Sequence, residues 1–143
     1  MTMPIWMLLG FAAWTVILLM STIGVYRFSR ILTGRMPAQG FRADQVEGED
    51  WYKRSMRAHA NCVENLPVFG AIVLALYASG VGGAAVNYLS TGILVARIIH
   101  SLIHVCFVQT HAVVAVRFTF FFIQLAGFLA LIAMIVRHAG LTP

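Results

Sequence analysis

The sequence is short of charge. Only 10% of its 143 residues are Asp, Glu, Lys or Arg, where a soluble domain carries about 25%. Acids are scarcest: Asp44, Glu47, Glu49 and Asp50 form one cluster, and Glu64 is the only other. Cysteine is limited to Cys62 and Cys106, both within hydrophobic segments, where they read as small apolar fillers rather than a disulfide. No Gly-rich phosphate loop, Ser-His-Asp set, CxxC pair, internal repeat or low-complexity tract occurs. These absences argue against a P-loop enzyme, a triad hydrolase and a dithiol oxidoreductase. His100 and His104 sit four apart, but no acid or thiol completes a ligand set, so no metal is expected.

What the chain has is apolar surface. Hydrophobic residues make up 60% of it, and the mean hydropathy is +0.84. We read residues 1–143 as a single integral membrane domain in contact with membrane lipid, with no room for a soluble companion. The net charge of +5 is not a nucleic-acid footprint. Seven of the ten cations fall between Arg27 and Arg57, around the first inter-helix connection. Cations gather on the cytoplasmic side of membrane proteins. That predicts a cytoplasmic 31–50 loop and both termini outside, as in a bacterial inner membrane or its equivalent.

The hydrophobic pattern predicts an all-α bundle of four transmembrane helices at about 5–29, 51–79, 86–108 and 113–137. The first is uncharged up to Tyr26-Arg27-Phe28-Ser29-Arg30, where an arginine can snorkel to the interface. Its start lacks the cationic flank and short apolar core of a signal peptide. Trp51 and Tyr52 are expected in an interfacial aromatic belt. Pro67 removes a backbone donor inside the second helix and predicts a kink. Gly80-Val81-Gly82-Gly83 and Gln109-Thr110-His111 are tight connections, which makes His111 a loop residue.

Two helices carry polar stripes. Arg57, Asn61 and Glu64 lie at i, i+4 and i+7; Arg97, His100 and His104 lie at i, i+3 and i+7. Each set shares one helix face. Ionisable groups at such depth are costly unless paired or wetted. Arg97 is the deepest cation, and Glu64 is its expected intramembrane partner. An Arg–Glu pair that only anchors a helix end is the simpler reading of the second-helix stripe. A polar cavity lined by Arg57, Asn61, His100 and His104 is the functional one. Such a cavity suits a small anionic, peptide-like ligand that meets a lipophilic one. Arginine grips carboxylates with both nitrogens, asparagine binds amides, and glutamate accepts from an ammonium. Those are the parts of glutathione.

The stretch Arg57-Ala58-x-x-Asn61-Cys62-x-Glu64-x-x-Pro67-x-Phe69 resembles the second-helix signature of the MAPEG family, the membrane-associated proteins in eicosanoid and glutathione metabolism. The resemblance is nearest to that family's leukotriene-C synthase and microsomal glutathione transferase branches. Tyr26-Arg27-Phe28-Ser29-Arg30 and Ala96-Arg97-Ile98-Ile99-His100 are similar to the end of its first helix and to its third helix. The resemblance implies a homotrimer with glutathione, a co-substrate, bound between subunits. Arg27, Arg57, Asn61, Glu64 and His100 match glutathione-holding positions. His104 stands at a position where relatives carry a tyrosine near the thiol, and Ala60 replaces an arginine of the prostaglandin-type members. A family arginine early in helix four steadies the thiolate. Arg117 is the arginine present there, and His111 lies nearer the usual spacing. Arg117 and His104 are thus the expected catalytic residues, with His111 a third candidate. The implied function is transferase or peroxidase chemistry on lipophilic electrophiles. The alternative is a non-catalytic membrane binding or scaffold protein of the same fold.

Overall fold

The computed structural model describes residues 1–42 and 45–141, and Asp44 of the acidic cluster lies outside them. The described residues form four helices long and apolar enough to cross a membrane: α1 (Met3–Leu32), α2 (Asp50–Ser79), α3 (Ala84–Cys106) and α4 (His111–Leu141). One 3-10 turn, Ala38–Gly40, lies in the long connection, and the described residues contain no strand. In lipid a helix satisfies its own backbone, which is why an apolar chain adopts this class. α1, α2 and α4 run past their expected bounds, whereas α3 begins at Ala84 and ends at Cys106, short of the expected 108. α1 continues to Leu32, and α4 starts at His111 and runs to Leu141. His111 is therefore the first residue of α4 and not a loop residue. α2 continues through Pro67.

α1 contains a π turn at Leu19–Gly24. Here Ser21 and Thr22 hydroxyls donate to the carbonyls of Ile17 and Leu18. Such back-bonding loosens the regular ladder, and a π turn rotates everything that follows around the axis. Downstream of it, Tyr26 is buried and stacks on Tyr52 with centroids 4.0 Å apart. Tyr52 is 1% exposed and packs into this end of the bundle; Trp51 beside it is half-buried. Gly48, at φ +129°, lies under the Tyr26 hydroxyl where any Cβ would collide. α2 stops at Gly80, whose φ of +67° closes the helix in the left-handed conformation.

α3 is the central helix and packs against each of the others. Small residues on its buried faces, Ser90, Ala96 and Ser101, permit that approach. This is the usual basis of helix association in lipid, where apolar burial alone gives little drive. At the α3–α4 crossing, Gly127 faces Ile93 so closely that a Cβ would stand 2.8 Å from its Cγ1. A row of rings, Phe11, Phe69 and Phe128, joins α1, α2 and α4 with centroids 5.8 and 6.0 Å apart. The core therefore fills the mid-depth of the bundle, and the polar α3 face lies between that core and the 107–110 turn.

Candidate functional site

The three polar side chains of the α3 stripe are buried: Arg97 at 0%, His100 at 4% and His104 at 6% exposure. Arg97 packs its guanidinium over the Phe11 ring, 5.7 Å from its centroid, and donates from Nη1 to His100 Nδ1 at 3.3 Å. Its Nε and Nη2 have no hydrogen-bond partner among the described residues. No ion pair joins Arg97 to Glu64, which corrects the expected pairing. The Glu64 side chain is exposed on the outer face of α2, and its charge reaches Arg97 only through space. The reason is rotational. Arg57 and Glu64 point away from the α2–α3 contact and Asn61 lies half-buried at its edge, while Ala58, Cys62 and Phe69 turn inward.

A second guanidinium closes the other end of the stripe. Arg117, two turns into α4, places Nη1 3.1 Å from His104 Nδ1. The two imidazoles meet edge to face, 4.9 Å between centroids at 71°. Arg117, His104, His100 and Arg97 thus form an unbroken polar line along α3. An open cleft of about 310 Å³ lies beside it, lined by Asn61, His100, His104, Arg117, Phe118 and Phe121. Three of its walls come from different helices: α2 gives Asn61, α3 the histidines, and α4 the arginine and both phenylalanines. Among the described residues no group of three or more metal-ligating side chains converges.

Asn61 spends an amide hydrogen on the Arg57 carbonyl at 2.9 Å, which orients the side chain. Arg57 itself is exposed and donates to Gln109 Oε1 at 3.3 Å, so it sits at the mouth of the cleft and not among its lining residues. Its charge still reaches His104 and Arg117. Arg27 stands apart. It donates from Nε to the Tyr52 hydroxyl at 2.9 Å and from Nη2 to Met56 Sδ at 3.7 Å. Within one chain, then, Asn61, His100, His104 and Arg117 come together, Arg57 stands at the rim, and Arg27 and Glu64 face elsewhere. Cys62 and Cys106 are free thiols, the former buried against the Ser101 hydroxyl at 3.4 Å.

Phe118, Phe121 and Gln109 join the site without having been expected. Their signal was present in part: Arg117, Phe121 and Gln124 lie at i, i+4 and i+7 and so share a face. Gln124 is 1% exposed with both amide atoms unpartnered, which marks that face as inward and polar. A larger hollow of about 490 Å³ lies at the opposite end, around the Gly80–Gly83 turn, but no charged side chain lines it. The arrangement beside α3 is cationic on its polar side, free of acids and aromatic on its outer side. It can hold an anion and set it against an apolar molecule. Among known proteins, the family model for the MAPEG family matches residues 3–137. No curated protein and no solved structure gives a match.

Proposed function

The chain belongs to the MAPEG family, and from that premise we propose that it is a glutathione-dependent membrane transferase, with a peroxidase-type side activity, acting on lipophilic electrophiles. The observation that carries this reading is the cleft in which Arg117 and two histidines meet Asn61 under an aromatic wall. Glutathione enters from the end of the bundle that holds the long 33–49 connection, which the loop charge marks as cytoplasmic. Arg57 and Glu64 take its carboxylate and ammonium, Asn61 an amide, and the sulfur lies against His104, within reach of the Arg117 charge. The electrophile arrives through the lipid-facing side past Phe118 and Phe121.

The nucleophile is the thiolate, since a thiol with an ordinary pKa of about 8.5 is mostly protonated at neutral pH. Lowering that value by about two units takes about 2.7 kcal/mol of preference for the charged form. A guanidinium in a partly desolvated cleft supplies an interaction of that order. The sulfur then attacks the electrophilic carbon. A carbon–sulfur bond forms, the leaving group departs with its electron pair, and the thiol proton has already passed to water.

The same reading assigns the protein to a homotrimer. Arg57 and Glu64 are exposed on the outer face of α2, where a lone chain would present them to lipid or its boundary. A charge facing the bilayer centre costs about 2.5–3.5 kcal/mol even by insertion scales. A neighbouring copy removes that cost and closes the open side of the cleft. It also brings in a second set of side chains, Arg27 among them. Detoxification of lipid-soluble compounds is the corresponding role.

Turnover of a chromogenic chloronitrobenzene with glutathione by the purified protein tests the proposal. The expected result is thioether formation that falls at least tenfold at neutral pH in Arg117→Ala. The second reading, a non-catalytic binding protein of the same fold, is favoured by a single observation: Glu64 and Arg27 stand outside the cleft of one chain. Glutathione-dependent stabilisation without turnover of any electrophile would select it.

A further inference from the structure

Resting on that reading, we propose that His104 and His100 serve as neutral Nε2–H donors, locked in one tautomer by the half-buried Arg117 and the buried Arg97, and that His104 gives its hydrogen bond to the glutathione sulfur. The donors and acceptors in these contacts are fixed by chemistry. A guanidinium has donors only and stays protonated. Arg117 Nη1 stands 3.1 Å from His104 Nδ1, and Arg97 Nη1 stands 3.3 Å from His100 Nδ1. In each contact the ring nitrogen must therefore be the acceptor. An imidazole whose Nδ1 accepts carries its hydrogen on Nε2 and is uncharged. That leaves Nε2–H as the group each ring can offer to the cleft it lines.

The charges around the rings act in the same direction from each element that brings one. Arg117 approaches from α4, Arg57 from α2 and Arg97 along α3, with His100 adjacent. Among the described residues no carboxylate holds either ring, and both rings are at least nine-tenths buried. Protonating His104 would face its new N–H toward the guanidinium of Arg117. The imidazolium assignment left open by the sequence is thus disfavoured by geometry. The resulting division of labour is simple: Arg117 carries the charge, and His104 carries the directed donor. Arg97 does for His100 what Arg117 does for His104, so Arg97 is a positioning residue.

Two side chains separate the roles of the ring nitrogens. Asparagine puts a carbonyl oxygen near the place of Nδ1 and keeps the contact to Arg117, with no donor at the far end. Glutamine puts an amide N–H near the place of Nε2. His104→Phe removes both. The first readout is the pKa of enzyme-bound glutathione, followed by thiolate absorbance in purified protein. We expect His104→Phe to raise it by about one unit, a tenfold loss of thiolate below that pKa. His104→Gln should recover most of the loss and His104→Asn should not. Rescue by Asn but not by Gln would overturn the donor role and leave His104 a mere brace for Arg117. The second readout needs no glutathione: histidine ¹⁵N NMR of the wild type in detergent. Nε2–H signals for both rings support the tautomer, and a charged or Nδ1–H ring at neutral pH overturns it. If glutathione neither stabilises the wild type nor titrates on it, the functional reading fails on its own, whatever the tautomer.

Discussion

Replacing Arg117 by alanine is the most demanding perturbation of this site. Arg117 Nη1 lies 3.1 Å from His104 Nδ1, and a sulfur hydrogen-bonded to the far ring nitrogen, across the imidazole, would stand about 8 Å from the cation. At an effective dielectric of about 20, that separation gives an attraction of about 2.1 kcal/mol, or roughly 1.5 pKa units. The bound thiol of Arg117→Ala should therefore titrate about 1.5 units above that of the wild type. Glutathione affinity should change by less than about tenfold, or 1.4 kcal/mol, because the carboxylate and amide contacts lie elsewhere. Arg117→Lys keeps the charge without the rigid fork and should fall between the two. The assay is a pH titration of the ultraviolet thiolate band, paired with a glutathione-dependent melting shift to show that each variant binds. With neutral histidines, the thiolate signal should rise monotonically with pH and then level off. An unchanged thiol pKa in Arg117→Ala would refute the argument, as would a wild-type activity that falls again near pH 6.5, the unperturbed histidine value of about 6.5.

Three further outcomes are expected. Arg57→Ala or Glu64→Ala should weaken glutathione binding by about 1.5–3 kcal/mol, the range for losing a hydrogen bond to a charged group. Calorimetry would measure it, and incomplete rescue by Arg57→Lys would point to a gripped carboxylate. Phe69→Ala removes the ring between Phe11 and Phe128. It should cost roughly 2–3 kcal/mol in detergent unfolding, less than in a water-soluble core because the separated helices remain solvated by apolar chains. Cysteine at Gln39, exposed in the long connection, should resist an impermeant maleimide in intact cells of a Cys-less variant; ready labelling would reverse the assigned orientation.

Much of this protein was legible in order of residues alone. Four apolar runs separated by glycines and charges specify four spanning helices, because lipid leaves the backbone no other partner than itself. Spacing likewise determined that Arg97, His100 and His104 share a face, and that Arg57, Asn61 and Glu64 share another. Helical period says which residues go together, but not which way a face turns. That was decided by packing. α3 took the centre because its small residues let three helices approach, so its polar face was buried. α2 turned Ala58, Cys62 and Phe69 inward, so its polar face was left outside, and Glu64 could not meet Arg97. The π turn in α1 re-aimed Tyr26 and Arg27 toward Tyr52, an effect no 3.6-residue pattern carries. The meeting of Arg117 with His104 joins residues 13 apart in sequence across the α3–α4 turn. Only the crossing of those helices, closed down by Gly127 against Ile93, sets that distance and with it the hydrogen that His104 carries.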